Sequence, residues 1–300
     1  MLRAEDHTVV GLDVAPGTDT QIIGSVADRR LVDRAFADHA IEAVIHAGAL
    51  HKPDIARHPA QAFIDTNVTG TLNLLEAARA ARHDRFVFTS TTSLMISAAI
   101  RAEAGDEAVW IDETLAPLEP RNIYGVTKLA AEQLCRLSAD NGLPCIVLRT
   151  ARFFPEDDDT HHALSGENMK ANEFLHRRLT VADAARAHLA ALERTPTIGF
   201  GTYIVAAPTP FSRDEAPALK REASTVIAGH FPEARTLYAR RGWSLPATIG
   251  RVYDASRAEH DLGFRCRTDF AAILSALAAD APLPFQHDPA YVSPTACAKR

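Results

Sequence analysis

An α/β fold, with a parallel sheet wound on both faces by helices and a small C-terminal lobe after it, is what this sequence predicts from two observations. Short apolar runs alternate with longer segments in which apolar residues recur every three or four positions, and the alternation breaks down after residue 207. Apolar runs of this length mark strands buried on both faces, and helical periodicity between them supplies the crossovers that parallel pairing requires. The 300 residues, 47% hydrophobic and 23% charged, suffice for one large domain with an appendage or for two domains.

In chain order, the expected strands are TVVGLD (8–13), QIIG (21–24), AVIHAG (43–48), RFVFTS (85–90), CIVLRT (145–150) and TYIVAA (202–207). Helices are expected over 28–39, 59–81, 122–141 and 181–194, each with one apolar face. From Pro208 to Pro294 prolines interrupt the chain, and only short pieces are expected there. The main domain is therefore expected over 1–158, with 179–207 returning to it, and a substrate-side lobe over 159–178 and 208–300. Sheets of this kind bind ligands beyond the carboxyl ends of their strands, so the residues just after each run deserve first scrutiny.

Charge and composition exclude some partners. The net charge of −6 is mild and unclustered, which argues against nucleic acid or an anionic membrane. No stretch approaches the roughly 18 uninterrupted apolar residues of a membrane span. MLRAEDHTVV carries acids where a secretory signal needs its apolar core, so a cytoplasmic protein is expected. Cys135, Cys145, Cys266 and Cys297 are scattered without ligand or disulfide spacing. His161, His162 and His176 lie in a polar segment with no carboxylate or cysteine at ligand spacing, so no metal is expected.

Asp13 closes the first run. A carboxylate there can accept both ribose hydroxyls of an adenine dinucleotide and would repel the extra phosphate of NADP, which favours NAD; it can equally make the turn ahead of Pro16 and Gly17. A glycine-rich phosphate loop belongs about 20 residues before such an acid. Asp13 has only twelve residues before it, and RAEDHT reads like the tail of the helix that follows such a loop. The sequence is thus expected to start after the first strand and its pyrophosphate cradle, with a shortened gene model as the preferred reason over a truncated protein. In IHAGALH, the small residues Ala47, Gly48 and Ala49 let backbone approach a flat or phosphorylated ligand, or simply pack a strand end tightly. RFVFTSTTSL sets hydroxyls at Thr89, Ser90, Thr91, Thr92 and Ser93 directly after a buried strand, suited to a substrate oxygen or to a self-capping turn. Neither a Gly-x-Ser-x-Gly elbow nor a histidine placed to activate a serine is present.

In RNIYGVTKLAAEQL, Tyr124 and Lys128 are spaced to share one helix face. A cation one turn away favours the phenolate and lowers a tyrosine pKa from near 10, which would make Tyr124 an acid/base catalyst. The spacing alone also fits a surface pair, but Asp13, the small-residue segment, the hydroxyl cluster and this pair fall in order at strand ends.

IYGVTKLAAEQL, together with NVTGTLNLLEAA (67–78) and FVFTSTTS, resembles the extended short-chain dehydrogenase/reductase family, in its NAD-dependent sugar-nucleotide epimerase and dehydratase branch. The resemblance covers about residues 5–210 well and the remainder loosely. It implies a Rossmann-type domain with its first strand missing. It also implies Tyr124 as general acid/base, Lys128 as ligand of the nicotinamide ribose, and Thr91 completing the triad, with Ser90 and Thr92 as other registers. Further, it implies Asp13 on the adenine ribose, Ala47, Gly48, Ala49 and Thr89 along the cofactor, and Asn67 as a brace. Where the family has an acidic residue near the adenine, Ser25 and Val26 stand here, and with the absent loop they should weaken NAD binding. Arg152 in LRTARFF and Arg251 in IGRVYDASRAEHDLGF match its substrate segments and suit phosphate. Further implications are a nucleotide-sugar substrate and a homodimer formed through the 59–81 and 122–141 helices. Two alternatives stand beside this: an NAD(P)-dependent dehydrogenase or reductase of a non-sugar alcohol or ketone, and a non-catalytic scaffold that retained the fold.

Overall fold

Each expected apolar run overlaps a strand in the computed structural model of the protein, which describes residues 1–154 and 164–288. After a 3-10 turn at Leu2–Glu5 come β1 (Leu12–Asp13), β2 (Ile22–Ile23), helix α1 (Arg29–Asp38) and β3 (Val44–His46). The expected 59–81 helix is α2 (Ala60–Phe63), a π-helical stretch Ile64–Thr69 and α3 (Gly70–Ala80) in succession. Then follow β4 (Phe86–Thr91), α4 (Ala98–Ala102), β5 (Val109–Ile111), α5 (Ile123–Asp140) and β6 (Cys145–Thr150). The remainder comprises α6 (Gly166–Glu173), α7 (Val181–Ile198), β7 (Phe200–Val205), α8 (Ala216–His230), α9 (Ala234–Arg240), β8 (Arg251–Tyr253), α10 (Ser256–Leu262) and α11 (Phe270–Ala278). No helix among the described residues is long and apolar enough to cross a membrane.

Two compact units result. The first gathers Met1–Leu94, Pro120–Arg149 and Ala185–Tyr203; the second gathers Met95–Glu119, Thr150–Ala184 and the chain from Ile204 onward. The boundaries expected at 158 and at 179–207 compare with 149 and 185–203 here.

In the first unit β1 and β2 pair in parallel, and a second sheet has the order β3-β4-β6-β7, with β3 and β4 parallel. Every residue of β4 and of β6 is buried, which is why these strands open on consecutive apolar residues, Phe86–Phe88 and Cys145–Leu148, rather than alternating. Leu74, Leu75, Ala77 and Ala78 of α3, Ala131 and Cys135 of α5 and Val32 of α1 close over Phe86, Phe88, Cys145 and Val147 in one core. Asp28 starts α1 by accepting the N–H groups of Arg30 and Leu31 at 2.9 and 3.2 Å.

In the second unit β5 and β8 pair in parallel, Val109 opposite Arg251 and Ile111 opposite Tyr253. Leu219, Ala223 and Ile227 of α8, Leu237 and Tyr238 of α9 and Phe270, Ile273, Leu274 and Leu277 of α11 build its core. The prolines after residue 207 do not prevent these helices. Pro217 sits in the first turn of α8, where a missing N–H costs nothing, and Pro232 precedes α9.

Gly70 opens α3 where that helix meets the segment after β2. A Cβ there would lie 2.5 Å from Val26 Cγ2 and 3.4 Å from its carbonyl carbon, and Asn73 Nδ2 donates to the carbonyls of Val26 and Ala27 at 3.0 and 3.2 Å. Valine is stiff about χ1 and cannot yield cheaply. Gly70→Ala is therefore expected to cost about 1–3 kcal/mol in urea unfolding. Gly48→Ala, whose Cβ would meet nothing within 4 Å, is expected to stay within about 0.5 kcal/mol of wild type; equal losses in the two variants would contradict this account.

Candidate active site

The site of the first unit is built on α5 and the end of β4. Asn122 is extended (φ −152°, ψ 166°) and its side chain accepts the Gly125 N–H at 2.9 Å, so the helix starts at Ile123, one residue before Tyr124. One turn separates Tyr124 from Lys128 and another separates Lys128 from Glu132; all three are buried, at 6%, 2% and 3% exposure. Thr91, last residue of β4, hydrogen-bonds the Tyr124 hydroxyl, and its own Oγ1 accepts the Ser93 N–H at 3.1 Å. The Lys128 ammonium lies 4.0 Å from the centroid of the Phe88 ring.

Burial dominates the electrostatics. It pushes Tyr124 up to about 12, against the pull of the Thr91 hydrogen bond, whereas the sequence argument expected Lys128 to bring the phenol down. Burial also pulls Lys128 down to about 7, opposed by Cys135 and the Glu132 carboxylate. His46, at the end of β3, is held neutral, down to about 3, by burial and by Lys128, and its Nε2 is 3.0 Å from Thr71 Oγ1. The His51 ring lies 5.6 Å from that of Tyr124 and is likewise pulled down by burial and then by Lys128, against Asp54.

Asn67, 1% exposed on the π-helical stretch, joins three elements. Its Oδ1 accepts the Leu50 N–H at 2.8 Å, and its Nδ2 donates to the Leu50 carbonyl and to Thr127 Oγ1, both at 3.0 Å. Leu50 follows directly on Ala47, Gly48 and Ala49, the first two exposed, and the space beside the Gly48 Cα is open. Asp13 is exposed at the end of β1, where Oδ1 accepts the Ala15 N–H at 2.9 Å. The Ser25 hydroxyl accepts the Ala27 N–H at 3.1 Å, and the Val26 carbonyl is taken by Asn73. Thr89 Oγ1 and His188 Nε2 are 2.6 Å apart in the core. The exposed carboxylate of Asp13 and the open, small-residue backbone after β3 suit a ribose and a flat dinucleotide. Asp13 ends β1, the small-residue segment follows β3, and Thr91 ends β4.

Arg152 and Arg251 belong to the second unit. Glu173, buried at 1%, pairs with Arg152 at 3.2 Å, Arg177 at 3.0 Å and Arg178 at 2.8 Å, and these guanidiniums hold its carboxyl well below the usual carboxylate range. Arg251 Nη1 pairs with Glu103 Oε1 at 3.0 Å. Among the described residues, the buried Nε groups of Arg177 and Arg251 have no hydrogen-bond partner. Arg152, Arg177 and Arg178 pair with Glu173, and Arg251 pairs with Glu103. His176 donates from Nδ1 to the Arg251 carbonyl at 2.9 Å and is held neutral, down to about 3, by burial and by Arg177. His161, His162 and Cys297 lie outside the described residues; Cys135, Cys145 and Cys266 are buried free thiols.

Sequence reasoning missed the partners of these groups. Ser90 is hydrogen-bonded to Glu132, which pairs with Arg149, while Glu173, Arg177 and Arg178 surround Arg152. A signal was present: arginine inside the buried run CIVLRT demands a partner, and Glu132 extends the Tyr124–Lys128 spacing by one more turn.

Residues 1–206 match the model of the family described as NAD dependent epimerase/dehydratase. The chain is 32% identical over 139 residues to a UDP-glucose 4-epimerase of Azospirillum brasilense, a match covering 46% of this chain and 37% of that one. It is 34% identical over 165 residues to an L-arabinose 1-dehydrogenase (NAD(P)(+)) of Haloferax volcanii, covering 52% and 61%. Less than two thirds of the length of either relative is matched. In fold it is similar to a short-chain dehydrogenase/reductase superfamily protein of Agrobacterium tumefaciens with bound NAD, at a TM-score of 0.62 and 22% identity over 93% of this chain and 90% of that one.

The buried ammonium should burden the cofactor-free fold. Below about pH 7 folded and unfolded chains both carry the Lys128 proton and the full cost applies; from there to 10.5 only the unfolded chain holds it, and the cost fades. Lys128→Met is thus expected to stabilise the protein on the order of 3 kcal/mol at pH 6, the gain shrinking steadily toward pH 10. Urea unfolding at three pH values checks this, and a gain that does not vary with pH contradicts it.

Proposed function

This chain belongs to the NAD dependent epimerase/dehydratase family, and from that premise we propose an NAD-dependent enzyme that acts on a secondary alcohol of a nucleotide sugar. The observation that carries the reading is the buried hydrogen bond between Thr91 and Tyr124 with Lys128 one turn further on. Bound NAD supplies a hydride acceptor and returns the hydride. Tyr124, once deprotonated, would take the alcohol proton on its phenolate oxygen, and the Thr91 hydroxyl would steady the substrate oxygen as it becomes a carbonyl. Thr91 opposes the burial that raises Tyr124, and Lys128, while charged, would favour the phenolate. Epimerisation follows if the keto sugar turns and is reduced on its other face; dehydrogenation follows if it is released.

Asp13 would hold the adenine ribose, Ser25 and Val26 the adenine side, and Ala47, Gly48, Ala49 and Thr89 the length of the dinucleotide. Lys128 would meet the nicotinamide ribose, with Asn67 as brace. Arg152 and Arg251 are assigned to substrate phosphate, supported by the forked donor geometry of guanidinium and by the buried Arg251 Nε, which has no hydrogen-bond partner among the described residues. The likeness to an L-arabinose 1-dehydrogenase over 52% of this chain favours a second reading, net oxidation of a sugar without a nucleotide, in which NADH accumulates. A cytoplasmic homodimer is part of the proposal; Ile64, Leu72, Val126 and Leu137 leave apolar side chains exposed on the 59–81 and 122–141 helices.

Turnover of UDP-glucose and a panel of sugar nucleotides tests the reading. Tyr124→Phe is expected to lower kcat about 10²–10⁴-fold with NAD affinity nearly unchanged; wild-type activity in that variant would sink the mechanism. Removing the Asp13 carboxylate tests cofactor choice: Asp13→Asn is expected to narrow the preference for NAD over NADP about tenfold in binding titrations, and an unaltered ratio would take Asp13 out of the ribose site.

A further inference from the structure

Behind the Thr91, Tyr124 and Lys128 group lies a buried ion pair to which the proposed chemistry assigns no role. Glu132, on the helix face of Tyr124 and Lys128, accepts the Ser90 hydroxyl on Oε1 at 2.5 Å. Arg149, on β6, clamps the same carboxylate through Nη2 at 2.7 Å and Nε at 3.0 and 3.3 Å. The side chains of the pair are 4% and 7% exposed, and Ser90 is 2% exposed. Ser90 immediately precedes Thr91, so this carboxylate ties the end of β4 to α5, and both to β6.

We propose that Glu132 is a positioning residue: anchored by Arg149, it fixes Thr91 against the helix that presents Tyr124 and keeps a negative charge one turn from Lys128. The catalytic side of this inference rests on the function proposed above. Geometry argues against packing alone. A buried, bidentate ion pair is a weak stabiliser compared with apolar residues of the same volume, so its presence here calls for another reason. Among the described residues, the other groups facing Lys128 supply no anion at neutral pH. Tyr124 and Cys135 on its own helix are kept protonated by burial, His46 and His51 from β3 and the loop after it are held neutral, and β4 contributes only the Phe88 ring. Burial works against the ammonium, and the Glu132 carboxylate works for it.

The chain has five lysines, Lys52, Lys128, Lys170, Lys220 and Lys299, so ¹³C-labelled lysine gives a simple NMR spectrum in which Lys128→Met identifies the Lys128 signal. In the cofactor-free protein, Glu132→Gln removes the charge and is expected to lower the Lys128 titration midpoint by about one pH unit. Arg149→Met leaves the carboxylate without its competing cation and is expected to raise that midpoint. Both variants break the same ion pair, so a merely structural role would move them together; equal or absent shifts overturn the proposal. Should either single variant fail to fold, the double variant Glu132→Gln, Arg149→Met strands no buried charge. Its midpoint is expected below that of wild type, and an unchanged one overturns the proposal. In turnover, Glu132→Gln is expected to lose about tenfold or more in kcat with KM little changed, and an unchanged kcat overturns the positioning of Thr91. If the wild-type chain turns over no alcohol with NAD, the proposed function fails while the Lys128 titration still decides the electrostatic role of Glu132.

Discussion

One constraint organises the first unit: an ammonium group held in the core. Lys128 is 2% exposed, and taking a charge of that size out of water costs several kcal/mol unless neighbours replace the lost hydration. The face of the Phe88 ring and the carboxylate of Glu132 are the replacements. Glu132 is itself buried and must be paired, which is why β6, apolar along most of its length, carries Arg149. A single buried cation thus accounts for an acid on α5 and a base on a central strand.

Rigidity around that cation comes from close backbone approaches and one fully used amide. Asn67 bonds to both the N–H and the carbonyl of Leu50 and to Thr127, tying the loop after β3 to α5 through side-chain hydrogen bonds in the interior. Gly70 lets α3 meet Val26, and Gly125 lets the first turn of α5 approach Pro120, whose Cβ would be 2.7 Å from an added one. These contacts leave Tyr124 and Thr91 little freedom, so their hydrogen bond needs little ordering when a ligand arrives.

The second unit handles charge in the opposite way. Glu173 is a buried anion enclosed by the guanidiniums of Arg152, Arg177 and Arg178, and among the described residues the buried Nε of Arg251 has no acceptor. A buried anion held by cations is the reverse of the arrangement around Lys128, where a buried cation is held by an anion.

Much of this was legible in the sequence because it is local. Apolar runs such as FVFTST and CIVLRT mark doubly buried strands, the spacing of Tyr124 and Lys128 places both on one helix face, and Asn67 stands out within NVTGTLNLLEAA. Thr91 entered through the resemblance, by aligning FVFTST with the family's strand, with Ser90 and Thr92 as other registers. The helices after residue 207 were not, since prolines read as breaks until one sees Pro217 in a first turn. Nor was the β5–β8 pair, whose partners Val109 and Arg251 lie far apart in the chain. The direction of the Tyr124 shift went the other way from the sequence argument, because spacing reveals which charge is near but not how much water has been removed. Periodicity and turn chemistry set element type and facing residues by themselves, while burial and pairing between distant segments depend on which elements meet. The sequence alone therefore determined the α/β class and the catalytic candidates; the tertiary structure alone decided their protonation and joined Glu132 to Arg149.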